Sequence, residues 1–348
     1  MSLRVLTQGG GSAGGKSASI FITGLDKGST VTATKDGKTL NGVWNSEENR
    51  FEITGITDYG MWTVTATDGD STVTQDVLVD VALEYQIVMV YEANYLMLYD
   101  FGDQCEEITG GWDGTRTRQP GTSTRYGQLS ESTMELSYTN SSGSIWSSCD
   151  LVTEKMIDLS QYVGAISKFS FTGNNPYPNF YNGYALYAKT STTDADDSRW
   201  AFFINAPQEV GGSAEKITSF DGVRTTALDF DGSYLVIASL CYFWSQPTTA
   251  SLSVSSLALY KADDWKTLCS KAGISAPANL TALISNASSI AAILNNESAV
   301  KFMVRKCTGD FMAAFVTSSA CMSALASSPY KETVYANYHW SKFLAMVQ

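Results

Sequence analysis

The first part of the chain alternates apolar and polar residues at every second position over short runs. Five such runs occupy residues 19–23, 30–34, 50–54, 61–66 and 72–77, and they are rich in Thr and Val. The turn-forming pairs Asp36-Gly37 and Asp68-Gly69 separate some of these runs. A period of two with β-branched residues between turns is typical of antiparallel strands. We therefore predict a small immunoglobulin-like β-sandwich over residues 19–82, preceded by a flexible Gly/Ser-rich arm at 1–18.

A second β-rich region follows a more continuous apolar stretch at residues 81–90. The alternation predicts further strands at residues 95–99, 134–138, 168–172, 184–188, 200–204, 234–238 and 251–255. The last strands read as separate passes of the chain, ending at residues 257–260. About 180 residues with long polar loops suit a two-sheet jelly roll better than a second immunoglobulin-like domain. We predict such a jelly-roll β-sandwich, similar to carbohydrate-binding modules in architecture, over residues 83–262.

The period of two ends at Asp263, and the chain then becomes rich in Ala, Leu and Met. Asp264 is predicted to cap a first helix that stops at Gly273, and Pro277 suits the first turn of a second helix. A weak repeat of one apolar residue, two others and two apolar residues follows, each unit preceded by a residue able to cap a helix. Its units are Ile290/Ile293/Leu294, Val300/Met303/Val304, Met312/Phe315/Val316 and Met322/Leu325/Ala326. Because short helices with one apolar stripe bury it only against each other, residues 263–348 are predicted to form a small all-α domain.

Charge and composition narrow the classes of partner. Asp and Glu together number 35 against 23 Lys and Arg, which gives a net charge of −12. Such an acidic chain repels nucleic-acid backbones, so we expect no nucleic-acid partner. No window approaches 18 apolar residues, so we expect no membrane insertion. The N-terminus lacks the charged and apolar regions of a signal peptide, which predicts synthesis in a bacterial cytoplasm without export by the secretory pathway.

Catalytic signatures are weak. His339 is the only histidine, which disfavours a His-ligated metal site and a Ser-His-Asp triad. It lies in a helical pattern and is read as a packed or surface residue. Carboxylates are plentiful enough for a glycosidase, yet no spacing singles out a pair. We therefore expect a protein that is not an enzyme.

The sequence signals for a metal site and for disulfides are also weak. The clusters Asp194, Asp196, Asp197 and Asp229, Asp231 lie in turn-like contexts that Ca²⁺ could use, and a solvated loop is the preferred interpretation. We expect no cofactor, with a structural Ca²⁺ ion as the alternative. The six cysteines show no zinc spacing. Most are interpreted as buried free thiols, with one or two disulfides as the alternative.

Aromatic residues in the loops of the middle region indicate a carbohydrate site. Sugars stack their C–H faces on aromatic rings, while amide and carboxylate groups bind their hydroxyls. Many of these aromatics stand beside Pro, Asn and Gly, which are not residues of central strands. The competing interpretation is that they close the ends of a large sandwich. The candidate glycan-binding residues are Trp112, Trp146, Tyr177, Phe180, Tyr181, Asn182 and Trp244.

Several stretches resemble a known class of protein. The N-terminal part looks like the N-terminal module of tail-region structural proteins from phages and prophages of gut Firmicutes. The resemblance is carried by residues 1–8 with the glycine tract, 19–25, 30–38, 56–66 and 74–80. Residues 98–112 resemble the start of the sandwich domain that often follows in these proteins. The C-terminal part is similar to their helical C-terminal segments, at residues 265–269, 328–330 and 339–344. The resemblance implies a virion component, such as a tail fibre or tail-tip appendage, among other virion proteins. It carries over no catalytic motif.

Three hypotheses follow. The first is a homo-oligomeric phage tail appendage that contacts host-surface glycan. The second is a virion structural protein without a ligand, such as a capsid decoration or an adaptor. The third is a depolymerase or glycosidase that acts on cell-wall or capsular polysaccharide.

Overall fold

The computed structural model of the chain describes a defined set of residues. These are residues 17–69, 71–100, 103–104, 116–117, 123–129, 134–140, 146–152, 156–173, 183–189, 201–206, 219–243 and 248–348. Within them the protein is mainly β, arranged as sandwich sheets, with a C-terminal cluster of short helices. This confirms the predicted class of architecture.

The N-terminal module has two four-stranded sheets, with strand orders β4-β5-β1-β8 and β3-β2-β6-β7. Its strands are β1 (Ala18–Thr23), β2 (Thr30–Lys35), β3 (Lys38–Asn41), β4 (Val43–Asn45), β5 (Arg50–Ile56), β6 (Gly60–Asp68), β7 (Ser71–Val79) and β8 (Glu84–Val88). As the alternation predicts, every second residue of β6 faces the core, and Trp62, Val64 and Ala66 are fully buried. The indole N–H of Trp62 donates to the carbonyl of Asp58 at 2.7 Å, so the largest core side chain leaves no polar atom unsatisfied.

Strand β8 lies beyond the sequence-based boundary at residues 82 and 83, yet it belongs to the first sandwich. It runs parallel to β1, from Ser19 opposite Glu84 to Thr23 opposite Val88. Tyr85 and Ile87 point into the same core as Ile20 and Ile22. The first sandwich therefore extends through Val88.

The middle module has two larger sheets. Sheet I has the order β10-β9-β21-β13-β12, with β16 on the other side of β21 and β19 beyond β16; sheet II has the order β11-β14-β20-β17-β18, with β15 also on β20. Their strands are β9 (Tyr95–Asp100), β10 (Asp103–Gln104), β11 (Arg116–Thr117), β12 (Ser123–Leu129), β13 (Met134–Asn140), β14 (Trp146–Val152), β15 (Ile157–Asp158), β16 (Gly164–Gly173), β17 (Gly183–Lys189), β18 (Ala201–Ala206), β19 (Ser219–Ala227), β20 (Ser233–Phe243) and β21 (Thr248–Tyr260). All the pairings in these two sheets are antiparallel.

One long strand forms the centre of sheet I. The sequence predicts separate passes at 251–255 and 257–260, and this is wrong, because β21 is continuous over 13 residues. Along one edge its first half pairs with β13 and its second half with β9. Along the other edge β16 follows it throughout. The second half of β21 leads directly into the helical domain.

The C-terminal domain consists of short helices that are mostly capped by their own sequence. They are α1 (Trp265–Lys271), α2 (Leu280–Ile284), α3 (Ala287–Leu294), α4 (Glu297–Lys306), α5 (Asp310–Val316), α6 (Ser319–Ala326), α7 (Lys331–Tyr335) and α8 (Tyr338–Val347). Asp264 caps α1 by accepting from the backbone N–H of Thr267, as predicted. Pro277 lies before the cap Asn279 and not in the first turn of α2, so that expectation is wrong. No helix in the described part is long and apolar enough to span a membrane.

The helices pack on the outer face of sheet I. Ile166, Ala258 and Tyr260 of sheet I share one apolar core with helix residues such as Phe311 and Trp340. Leu257 and Leu259, the alternate residues of β21, are also fully buried. Because successive side chains of a strand point to opposite faces, this part of sheet I is covered on both faces.

Candidate functional site

Most residues of the predicted glycan site lie outside the described residues. These are Trp112, Tyr177, Phe180, Tyr181, Asn182 and Trp244, and the calcium candidates Asp194, Asp196 and Asp197 lie outside them too. Trp146 is the exception, since it is the first residue of β14 and pairs with Phe243, the last residue of β20. Phe243 immediately precedes Trp244.

The strands that flank the candidate residues meet at one end of the second sandwich. In sheet I, Asn140 pairs with Thr248 and Gly173 pairs with Ala250. In sheet II, Trp146 pairs with Phe243 and Gly183 pairs with Cys241. Residues 141–145, 174–182 and 244–247 therefore each connect sheet I to sheet II at the same end of the sandwich, which we call the crossover end. Six of the seven candidates belong to these connections or border them, and Trp112 does not.

A second region of interest surrounds His339, where all three modules meet. Its imidazole is buried, with Nε2 2.9 Å from the carbonyl oxygen of Tyr91 and Nδ1 2.9 Å from the hydroxyl of Tyr95. Because a carbonyl oxygen only accepts, Nε2 carries the proton, and Nδ1 accepts from the Tyr95 hydroxyl. Burial lowers the pKa of His339 to about 4, against a smaller raising effect of the bond to Tyr91. The imidazole is therefore neutral at pH 7, and its role here is to link β9 and the segment after β8 to α8.

A buried carboxylate fixes the chain where β21 passes into the helices. Asp263 accepts from the amide of Asn94 at 2.7 Å and from the backbone N–H groups of Gly309 and Phe311 at 2.8 and 2.9 Å. Burial raises the pKa of Asp263 to about 7, against the lowering effect of these hydrogen bonds. Asp310 accepts in turn from the backbone N–H of Asp263. These bonds join β9, β21 and α5 at one point.

Polar contacts join the N-terminal sandwich to the helices, and among them the Lys306 ammonium donates to the Ser71 hydroxyl at 2.8 Å. Arg305 forms an ion pair with Asp68, whose side chain is only 7% exposed. The amide of Asn337 donates to the carboxylate of Asp26 at 3.2 Å, and burial raises the pKa of that carboxyl group above its usual value. The helical domain therefore contacts both β modules through buried or half-buried polar groups.

An open cleft of about 780 Å³ lies where the three modules meet. Its walls come from β7, the segment after β8, β9, the region around Tyr162, the end of β21 and α8. The side chains that give it chemical character are four tyrosines, two lysines and one exposed glutamate. They are Tyr91, Tyr95, Tyr162, Tyr338, Lys261, Lys342 and Glu92. The sequence contains no local signal for this cleft, because its walls are contributed by segments far apart in the chain.

The other metal and cysteine candidates from the sequence are either exposed carboxylates or buried thiols, where the structure describes them. Asp229 and Asp231 are exposed, and no group of three metal-binding side chains occurs among the described residues. Cys269, Cys307 and Cys321 are buried free thiols, as predicted. Burial raises the pKa of each of these thiols, which makes them poor nucleophiles.

Comparisons with known proteins find solved structures that are weakly similar to this chain. No family model matches the chain, and no curated protein matches it. A family 11 carbohydrate-binding module of the cellulosomal cellulase Lic26A-Cel5E of Clostridium thermocellum is 11% identical, with 49% of this chain and 96% of that chain covered and a TM-score of 0.28. A structure of carbohydrate-binding modules from the β-sandwich superfamily is 12% identical, covers 70% of this chain and 97% of that one, and has a TM-score of 0.28. The infectious bursal disease virus Gx strain structure is 9% identical over 71% of this chain and 74% of that chain, with a TM-score of 0.15.

Proposed function

We propose that this chain is a structural protein of a phage virion, of the tail-fibre or tail-tip type, that contacts host-surface glycan through the crossover end of its second sandwich. The observation that carries the glycan part is the register of sheets I and II. It brings the flanks of three connections together, and these connections contain or border Trp146, Tyr177, Tyr181 and Trp244. The virion part rests on the sequence resemblance.

The residue types at the crossover end suit sugar recognition. Aromatic rings accept the C–H faces of a sugar, and the amide of Asn182 offers both a donor and an acceptor to its hydroxyls. Three connections from different strands can present such groups to one ligand from more than one side. A contact of this kind is weak for one copy. Several copies in one homo-oligomer make the later contacts intramolecular and raise the overall affinity, so we include oligomerisation in the proposal.

The arrangement of the modules supports a structural role. The helical domain is bonded to the first sandwich through Arg305 and Asn337 and to the second through His339 and Asp263. A sandwich tied to its neighbour at several points keeps a fixed direction, which a receptor-binding part of a particle needs. The role we propose is binding and not catalysis.

The first test locates the protein on the particle. Antibody raised against the purified chain is used for immunogold electron microscopy of intact phage particles. We expect label at the distal tail. Label over the capsid would instead support a decoration protein, and absence of label from intact particles would contradict a surface-exposed appendage.

The second test concerns the glycan. We expect the double variant Tyr181→Ala/Trp244→Ala to lose binding of the fluorescently labelled chain to host cells, with an unchanged thermal unfolding profile. The matched control is Tyr59→Ala, which removes a ring that is 50% exposed on the N-terminal sandwich. Full binding by the double variant would contradict a glycan site at the crossover end. Shortening of purified host polysaccharide by the chain would support the depolymerase instead.

A further inference from the structure

The cleft between the three modules, which we call the junction cleft, has the size of a ligand site. Its volume of about 780 Å³ lies within the range of about 300–1,000 Å³ that is typical of small-molecule sites. It is separate from the crossover end. Strand β21 begins at Thr248 at the crossover end and ends at Tyr260, next to Lys261 of the junction cleft. The two regions are therefore about one strand length apart.

Four half-buried tyrosines form the walls of the junction cleft. Two of them are held by hydrogen bonds, since the Tyr91 hydroxyl donates to Ser29 at 2.9 Å and the Tyr95 hydroxyl bonds His339. Tyr95 also packs against the ring of Phe343, with the centroids 4.9 Å apart. Rings held in place lose little conformational entropy when a ligand binds, which favours recognition of a flat, weakly polar face such as that of a sugar ring.

The other two tyrosines carry a lysine each. The Lys261 ammonium lies 5.7 Å from the centroid of the Tyr162 ring, and the Lys342 ammonium lies 5.1 Å from the centroid of the Tyr338 ring. These distances are within the range of cation–π contacts. Both ammonium groups therefore lie beside an aromatic ring in the lining of the cleft, an arrangement that suits a ligand with an apolar face and a negative charge.

The described residues of the junction cleft carry a charge opposite in sign to that of the chain. Acidic residues outnumber basic ones by 35 to 23 in the whole sequence. Among the described residues that line the cleft, two lysines meet one exposed glutamate, Glu92, and His339 is neutral. A locally positive cleft in an acidic protein attracts an anionic ligand and disfavours a cationic one.

We propose that the junction cleft binds a saccharide that carries an anionic group, with the sugar on the tyrosine faces and the anion held by Lys261 and Lys342. The anionic group is a carboxylate or a phosphate ester, since an ammonium donates hydrogen bonds to the oxygens of both. Because the walls belong to three modules, the bound saccharide also holds the two sandwiches and the helical domain together. The site is independent of the proposed contact at the crossover end.

The single histidine is a direct reporter for this site. The imidazole C–H signals of His339 in the NMR spectrum need no assignment, because the sequence contains no other histidine. The full-length chain is titrated with three probes: a tetrasaccharide of alternating glucuronic acid and N-acetylglucosamine, glucose 1-phosphate, and the neutral N-acetylglucosamine tetramer. We expect at least one anionic probe to shift the His339 signals saturably and to raise the thermal unfolding midpoint. The neutral tetramer should bind at least about tenfold more weakly.

A pair of matched lysine variants distinguishes the effect of the positive charge in the cleft from a general effect on folding. Lys342→Gln should weaken binding of the anionic probe about tenfold, which corresponds to about 1.4 kcal/mol, and added salt should weaken binding to the unaltered chain. The control Lys266→Gln removes a lysine that also lies over an aromatic ring, 5.7 Å from the centroid of Trp265, but on α1 and outside the cleft. This control should bind like the unaltered chain.

Four results would overturn the proposal. They are the absence of a saturable shift with either anionic probe at millimolar concentration, equal affinity for the neutral tetramer, equal affinity of Lys342→Gln and Lys266→Gln, and loss of the shift in Tyr181→Ala/Trp244→Ala. The last result would assign the binding to the crossover end. If host cells still bind the chain while the His339 signals stay unchanged, only the junction cleft proposal fails. If only the carboxylate or only the phosphate probe binds, the result supports the proposal and identifies the anion.

Discussion

Acidification should loosen the junction between the modules through His339. In the folded chain the imidazole is buried, its Nε2–H donates to the Tyr91 carbonyl and its Nδ1 accepts from the Tyr95 hydroxyl. Protonation would place a positive charge in this buried site, within the field of the Lys342 ammonium, and would remove the acceptor that Tyr95 uses. The neutral ring is therefore strongly preferred in the folded state.

The size of the effect follows from the difference between the folded and unfolded pKa values. The ordinary pKa of histidine is 6.5, and burial lowers that of His339 to about 4. A difference of about 2.5 units at 1.36 kcal/mol each gives about 3 kcal/mol. Because the folded pKa lies below the unfolded one, this stabilisation is complete above pH 6.5. It is lost progressively as the pH falls from 6.5 to 4, where the unfolded chain binds a proton that the folded chain does not.

Two measurements test this reasoning. The first follows the imidazole C–H signals of the only histidine by NMR, and we expect them to titrate with a midpoint below pH 5. The second compares the chain with His339→Gln, whose amide can still donate to the Tyr91 carbonyl but does not titrate. The difference in free energy of unfolding between the two proteins should change by about 3 kcal/mol between pH 7 and pH 4. A midpoint at or above 6.5, or parallel pH dependences of the two proteins, would refute the argument.

Three further predictions concern packing and buried charge. Gly309→Ala should destabilise the helical domain by about 3 kcal/mol in urea unfolding, because its Cβ would lie 2.2 Å from the Lys261 carbonyl oxygen; an unchanged midpoint would contradict this contact. Arg305→Met should lower the free energy of unfolding by about 2 kcal/mol, because it leaves the buried Asp68 carboxylate without its cation. The control Lys301→Met, in an exposed ion pair with Glu297, should lower it by at most about 0.5 kcal/mol. Equal losses in the two variants would be evidence against the buried pair. Buried thiols should react with iodoacetamide only after unfolding, as peptide mass mapping would show, and rapid labelling of the native chain would contradict their burial. These thiols are Cys269, Cys307 and Cys321.

The strands of the first sandwich are predictable because alternation is a local property. The runs that correspond to β1, β2, β5, β6 and β7 are identified to within a few residues. Strands β3 and β4 are missed because they are short and mostly exposed or half-buried, so they show no apolar face. The membership of β8 depends on its parallel pairing with β1, which joins residues 65 positions apart and leaves no trace in the local pattern.

The helices show where local capping rules succeed and where they do not apply. Asn286, Asn296 and Ser318 cap α3, α4 and α6 from the positions that the sequence suggests. Helix α5 begins after Gly309, which has no side chain to cap it. The N–H groups of Gly309 and Phe311 donate instead to Asp263, 46 and 48 residues earlier, so this cap arises only in the folded chain.

For the candidate glycan residues, the sequence identifies the residue types, and only the fold shows that their flanking strands meet. The choice of aromatic residues in Pro- and Asn-rich loops comes from the sequence, since it depends on residue type and immediate neighbours. Their convergence depends on the pairing of Asn140 with Thr248 and of Trp146 with Phe243, and alternation does not determine strand order. Trp112 has the same kind of sequence neighbours as the other candidates, but it neither belongs to these connections nor borders them.

The sequence by itself determined the succession of two β regions and one helical region, most strand positions and most helix caps. These features depend on residues within one strand or one turn of each other. The tertiary structure alone decided how the regions are joined, because the joining atoms are far apart along the chain: His339 bonds Tyr91 across 248 positions, and Asn94 bonds Asp263 across 169. The junction cleft exists for the same reason, since its tyrosines and lysines become neighbours only when both sandwiches pack against the helices.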